Sequence, residues 1–123
     1  MSPTIVSRDG IPILSLGAHG GTKIITCVVQ TILNYLEYGL PLYESVAAVR
    51  FHHQWRPDVL RMEEPGVGGP GSQILKKLGY GIQMGSYHSA TDSLHCGVMA
   101  VAREGEILRG VSEPRDVGVA LGH

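Results

Sequence analysis

The sequence predicts an α+β fold, with antiparallel strands and helices packed against them. Three observations lead there. Strand-like segments are grouped into two hairpins, at residues 4–16 and 94–111, instead of alternating with helices. A helical apolar period runs from Thr22 to about Tyr38. No stretch reads as a repeat, a charge block or an interior linker, so residues 1–123 are expected to form a single domain.

Each element has its own signal. Thr4–Ser7 is strand-like, and Asp9-Gly10 within Arg8–Pro12 is a hairpin turn signal. Ile13–Leu16 is the return strand and leads into the glycine loop Gly17-Ala18-His19-Gly20-Gly21-Thr22. The helix that follows carries Ile25, Val28, Val29, Ile32, Leu33 and Leu36 on one stripe, widened by Ile24 and Cys27, the face expected against a sheet. Gly39 is placed to end it, and Pro41 suits the first turn of a short helix over Leu42–Ala48. Arg50–Pro57 reads as a polar-aromatic turn, and Asp58–Glu63 alternates like an edge strand. After the glycine-proline loop 64–71, Ser72 is expected to cap a helix to Leu78, with Lys76 and Lys77 in its last turn and Gly79 as its stop. Gly81–Met84 is a strand. Leu94–Ala102 and Ile107–Val111 form the second hairpin, followed by a turn at Ser112–Asp116.

Composition removes several classes of function. Net charge is −1, so nothing favours a nucleic-acid surface. No span approaches the roughly 20 apolar residues of a membrane helix, and the first residues lack the basic and apolar regions of a signal peptide. The compartment is left undetermined. Cys27 and Cys96 are too far from any CxxC or zinc spacing to bind metal, and stand either as buried thiols or as one disulfide. His52 and His53 are adjacent and cannot share a strand face. A metal site would need one of them with His19, His88 or His95, and no HxH or HExxH spacing supports that. No metal and no cofactor is expected.

The candidate site is the glycine loop. A strand, a glycine turn and a helix start leave backbone N–H groups aimed outward with partial positive charge. Gly20 and Gly21 lack a Cβ, so an anion or oxyanion can approach the backbone closely. The same pair serves equally as a turn that needs positive φ.

Four segments in order then carry a resemblance: Met1–Val6, Gly17–Thr22, Arg50–Trp55 with Pro57-Asp58, and Ser112–Arg115. Together they resemble the C-terminal part of the small subunit of γ-glutamyltranspeptidases, over essentially the whole chain. The resemblance implies part of the αββα sandwich of the N-terminal-nucleophile hydrolases. It also implies a threonine nucleophile that transfers a γ-glutamyl group from glutathione or a related amide to water or an amino acid. By resemblance, Gly20 and Gly21 supply oxyanion N–H donors, while the nucleophile and the groups that hold the γ-glutamyl substrate belong to family segments upstream of Met1. Arg50 and Arg115 match family arginines and are expected in ion pairs. The family's usual Gly-Ser-x-Gly-Gly, often with Pro at x, stands here as Gly17-Ala18-His19-Gly20-Gly21. The chain is therefore expected to be inactive alone and to act on γ-glutamyl compounds only with the rest of the small subunit and the large subunit. Two other readings stay open: a fragment of a related amidase or acylase, and a stand-alone oligomeric module without catalysis.

Charged residues make up only 17% of the chain, against about 25% in ordinary globular proteins. Low charge implies surfaces made to be covered. The isolated 123-residue chain is expected to self-associate, through strand edges or the Ile25–Leu36 helix face. Sedimentation equilibrium at micromolar concentration checks this; a clean monomer would contradict it.

Overall fold

The computed structural model describes residues 1–64, 66–88 and 93–122. Their contacts fall into two compact units, residues 1–48 with 96–123, and residues 49–95.

The first unit is built on a four-stranded antiparallel sheet of order β1-β2-β6-β7: β1 Thr4–Arg8, β2 Ile11–His19, β6 Gly97–Glu104 and β7 Ile107–Val111. Asp9 and Gly10 both have positive φ, 52° and 79°, the conformation a two-residue hairpin requires. β2 runs further than the Ile13–Leu16 expected. Pairing of Gly17, Ala18 and His19 with Met99, Val98 and Gly97 carries it through the start of the glycine segment. Neighbouring β6 thus decides where this strand stops, and local glycine content does not.

Alternation along β2 and β6 buries Leu14, Leu16 and Ala18 beside Ala102, Ala100 and Val98. Two helices lie on that face: α1 Ile24–Leu36 and α2 Leu42–Ala47. The face that α1 buries is only part of the predicted stripe: Val28, Ile32 and Leu36, with Ile24 and Cys27, face the core as expected, and the other three do not. Cys27, Val28 and Thr31 are buried, and Ile24, Ile32, Tyr35 and Leu36 pack at the margin, whereas Ile25, Val29 and Leu33 are exposed. The helix is apolar on most sides, so its period does not single out one stripe, and the sheet takes the side with small residues. Cys27 and Cys96 are both buried and are not joined as a disulfide.

A buried ion pair joins these layers. Glu113, just beyond β7, is fully buried. One carboxylate oxygen accepts the Val98 N–H at 3.1 Å; the other accepts Arg115 Nη1 at 2.7 Å. The Arg115 guanidinium also donates to the carbonyls of Ala47 and Ala48, at 3.0 Å each, and of Val46 at 3.4 Å. Those carbonyls belong to the C-terminal end of α2, where acceptors lack intrahelical donors and a cation is favoured.

The second unit holds a three-stranded sheet, β3 Phe51–His52, β4 Leu60–Met62 and β5 Ile82–Met84. β4 is central, not the predicted edge, and it pairs antiparallel with β3 but parallel with β5. A parallel neighbour needs a crossover connection, which α3, Pro70–Lys77, supplies. Ser72 does not cap α3. The cap is Gly69 with Pro70 in the first turn, and the buried Ser72 hydroxyl lies 2.6 and 2.8 Å from the Val67 and Gly69 carbonyls, which share its one proton. Proline's fixed φ and missing N–H suit that opening position, so the helix starts three residues earlier than a cap at Ser72 would place it. Among the described residues, no helix is long and apolar enough to cross a membrane.

Removing one partner of a buried pair leaves an uncompensated charge and costs about 3–5 kcal/mol. Glu113→Ala is expected to destabilise the protein by about that much, while an exposed control, Glu106→Ala, moves it by less than about 0.5 kcal/mol. Urea unfolding followed by circular dichroism measures both.

Candidate active site

The end of β2 and the start of α1 form the glycine loop. Gly20 has φ 136° and ψ 22°, and Gly21 has φ 66°. Residues with a Cβ rarely adopt either conformation. A 3₁₀ turn, Gly21–Lys23, follows and runs directly into α1, so the helical segment begins at Gly21 and becomes α-helical only at Ile24. No side chain caps either N-terminus, and no acidic residue lies in the first turn. Among the described residues, the Gly20 and Gly21 N–H groups enter no loop or cap hydrogen bond to backbone. A Cβ built on Gly21 would meet nothing within 4 Å. The loop therefore has the properties of an anion site: open space, backbone donors and the positive end of a helix.

His19 precedes the pair, and its Nε2 lies 3.1 Å from Asp116 Oδ2. Asp116 belongs to the same turn as Glu113, and its N–H donates to the Glu113 carbonyl at 3.2 Å. Gly97 sits beneath this contact. A Cβ there would collide with the His19 ring and come within 2.8 Å of the Asp116 carboxylate. Sequence reasoning named His19 only as a possible metal ligand and missed its partners. The available signal was Gly97, a lone glycine at the start of an apolar strand, which marks close approach by another group.

The Arg50–Pro57 run makes a different structure. The Arg50 N–H donates to buried Glu63 Oε2 at 2.9 Å, and the Glu63 N–H returns to the Arg50 carbonyl at 2.9 Å. His52 is buried, with its Nε2 3.0 Å from Gln54 Oε1, whereas His53 Nε2 lies 2.9 Å from Asp58 Oδ1. The two rings are thus engaged separately, as their adjacency requires. His88 and His95 pack against Tyr87, with ring centroids 4.9 and 4.6 Å away. Among the described residues, no group of three or more His, Cys, Asp or Glu is placed to hold a metal. Arg115 lies in an ion pair, as expected.

A second cleft in the first unit lies by the far ends of β2 and β6, bordered by Arg8, Arg103, Arg109, Tyr35 and Glu104. Burial, and then the nearby Glu104 carboxylate, raise the Tyr35 phenol above its ordinary value of 10.0. This cleft shares no residue with the glycine loop.

Comparison with known proteins points in one direction. The family profile for gamma-glutamyltranspeptidase matches residues 1–123. The chain is 41% identical to a glutathione hydrolase proenzyme of Escherichia coli strain K12 over 95% of its own length and 19% of that protein. It is 34% identical to one of Pseudomonas aeruginosa over 98% of its length and 21% of that protein. It therefore spans about a fifth of these relatives. Among solved structures it is similar to the gamma-glutamyltranspeptidase of Pseudomonas nitroreducens complexed with L-DON, with TM-score 0.83 and 34% identity, covering all of this chain and 62% of that one. It is also similar to a mutant of the Helicobacter pylori gamma-glutamyltranspeptidase, with TM-score 0.80 and 36% identity over 94% of this chain and 61% of that one.

Proposed function

The chain belongs to the gamma-glutamyltranspeptidase family, and from that premise we propose that it is the C-terminal part of the catalytic small subunit of a γ-glutamyl-transferring or γ-glutamyl-hydrolysing enzyme. Gly20 and Gly21 would be its oxyanion donors. The loop geometry carries this reading: two glycines at positive φ, Gly21 exposed and Gly20 partly so, at an uncapped helix start. A threonine oxygen supplied from another part of the enzyme attacks the γ-glutamyl carbonyl carbon. The carbonyl π electrons move to oxygen, and the Gly20 and Gly21 N–H groups hold the resulting oxyanion. Its collapse breaks the C–N bond, the leaving nitrogen takes up the proton given up by the threonine hydroxyl, and the acyl-enzyme left behind is then opened by water or an amino acid. Donors fixed before reaction cost no reorganisation when charge develops, which is why such groups are worth about 3–4 kcal/mol.

Two surface features support a larger whole. The sheet face away from α1 and α2 carries exposed Ile5, Met99, Val101 and Leu108. Ile25, Val29 and Leu33 form an exposed apolar ridge along α1. Both are what an αββα sandwich would cover with its remaining sheet and helices. The five threonines lie at 4, 22, 26, 31 and 91, none at a free amino terminus, so these 123 residues alone are expected not to release p-nitroaniline from γ-glutamyl-p-nitroanilide.

The loop is tested in the complete processed enzyme. Gly21→Val is expected to lower kcat about 100-fold or more, with KM changed far less, because the contact is made mainly in the transition state. Gly105→Val is the control. Gly105 also has positive φ, 64°, and open space around its absent Cβ, but it lies in the β6–β7 turn. An equal loss in both variants would reduce the effect to backbone strain; no loss at Gly21 would leave the loop as a turn only.

A further inference from the structure

We infer that His19, Gly97 and Asp116 act as one latch that positions the Gly20–Gly21 donors, with His19 a positioning residue for the reaction and not a metal ligand. This rests on reading those glycines as the oxyanion site.

The argument starts from Gly97. Its φ is not in the left-handed region, so its backbone does not require glycine. It pairs with His19 at the last rung of the β2–β6 ladder, and the space its Cβ would fill is taken by the His19 ring and the Asp116 carboxylate. The missing side chain thus admits the ring. With the ring laid over β6, Nε2 reaches Asp116 at 3.1 Å.

Asp116 is itself held. Its N–H is bonded to the Glu113 carbonyl, and the Glu113 side chain is fixed by Val98 and Arg115. A path of hydrogen bonds therefore leads from the buried ion pair to the residue before Gly20. That residue needs fixing. Beyond His19 the strand pairing ends, Gly20 and Gly21 have the broadest conformational freedom of any residues, and the helix start has no side-chain cap. Two flexible residues can hold donors in place only if the chain entering them is held. A displacement of about 1 Å at a reacting group can cost about 100-fold in rate, so partial release of the loop should be felt in kcat.

The pair is half exposed: the His19 side chain is 43% accessible and Asp116 26%. A pair in that setting adds little to global stability. A merely structural contact there would leave the KM-to-kcat balance untouched, and a positioning contact would not.

The experiment compares variants of the complete processed enzyme with γ-glutamyl-p-nitroanilide as donor substrate. His19→Ala and Asp116→Ala are each expected to lower kcat about 10-fold, with KM held within about twofold. The double variant should be no worse than either single one, since the two side chains act as a unit. His19→Gln with Asp116 intact, and Asp116→Asn with His19 intact, keep a donor and an acceptor in place and should restore most of the loss. Gly97→Ala, which adds one methyl group under the ring, should reproduce the loss and serves as an independent route if removing the ring or the carboxylate prevents folding.

Unchanged kcat in the alanine variants, alongside a large loss in Gly21→Val, would overturn the latch and leave the oxyanion reading standing. Unchanged kcat in Gly21→Val would overturn both. Additive losses at 19 and 116, or failure of the Gln and Asn variants to recover, would show that the two residues do not work through each other and would likewise overturn the latch.

Discussion

The carboxylate of Glu113 is the group on which the first unit depends. A buried carboxylate is costly unless each oxygen is engaged, and here both are, by a strand N–H and by a guanidinium. The guanidinium is in turn committed to the carbonyls that end α2. Sheet, helix end and C-terminal turn are thus joined through one buried ion pair. Hydrophobic burial between α1, α2 and the β2–β6 rows supplies the larger share of stability, but it is non-directional. The ion pair supplies direction: it specifies where the turn at 112–116 must lie, and hence where Asp116 meets the glycine loop.

Much of this was legible in the residues. Asp9-Gly10 announced the first hairpin because only a few residues accept positive φ in succession. The second hairpin and the helical segments followed from periodicity and stop signals. The ion pair of Arg115 was expected only through resemblance, and nothing in Ser112-Glu113-Pro114-Arg115 says that its glutamate is buried. What sequence reasoning got wrong had tertiary causes. The buried stripe of α1 was drawn too wide because Ile25, Val29 and Leu33 are as apolar as the residues that the sheet covers. β2 outran its expected end because β6 offered it partners. β4 was taken for an edge because alternation looks the same in a central strand of a small sheet.

The two faces of the four-stranded sheet divide the work. One is sealed by α1 and α2 with Leu opposite Ala in successive rows, so that neither helix is held away by bulk. The other presents Ile5, Met99, Val101 and Leu108 to solvent. Few charges and an uncovered apolar face fit the reading of this chain as one layer of a larger sandwich, and it spans about a fifth of its relatives. The glycine loop emerges at the end of β2, where the strand pairing with β6 stops.

The fit of the His19 ring over Gly97 has an evolutionary corollary. Position 97 cannot enlarge while a ring occupies position 19, and a ring at 19 gains little once residue 116 loses its acceptor. If the three act as one latch, a change at any of them is expected to be accepted only with matching changes at the others. A mutational library built on this protein would sample productive sequences most densely by treating 19, 97 and 116 as a single compound site with its own short alphabet, instead of as three independent ones.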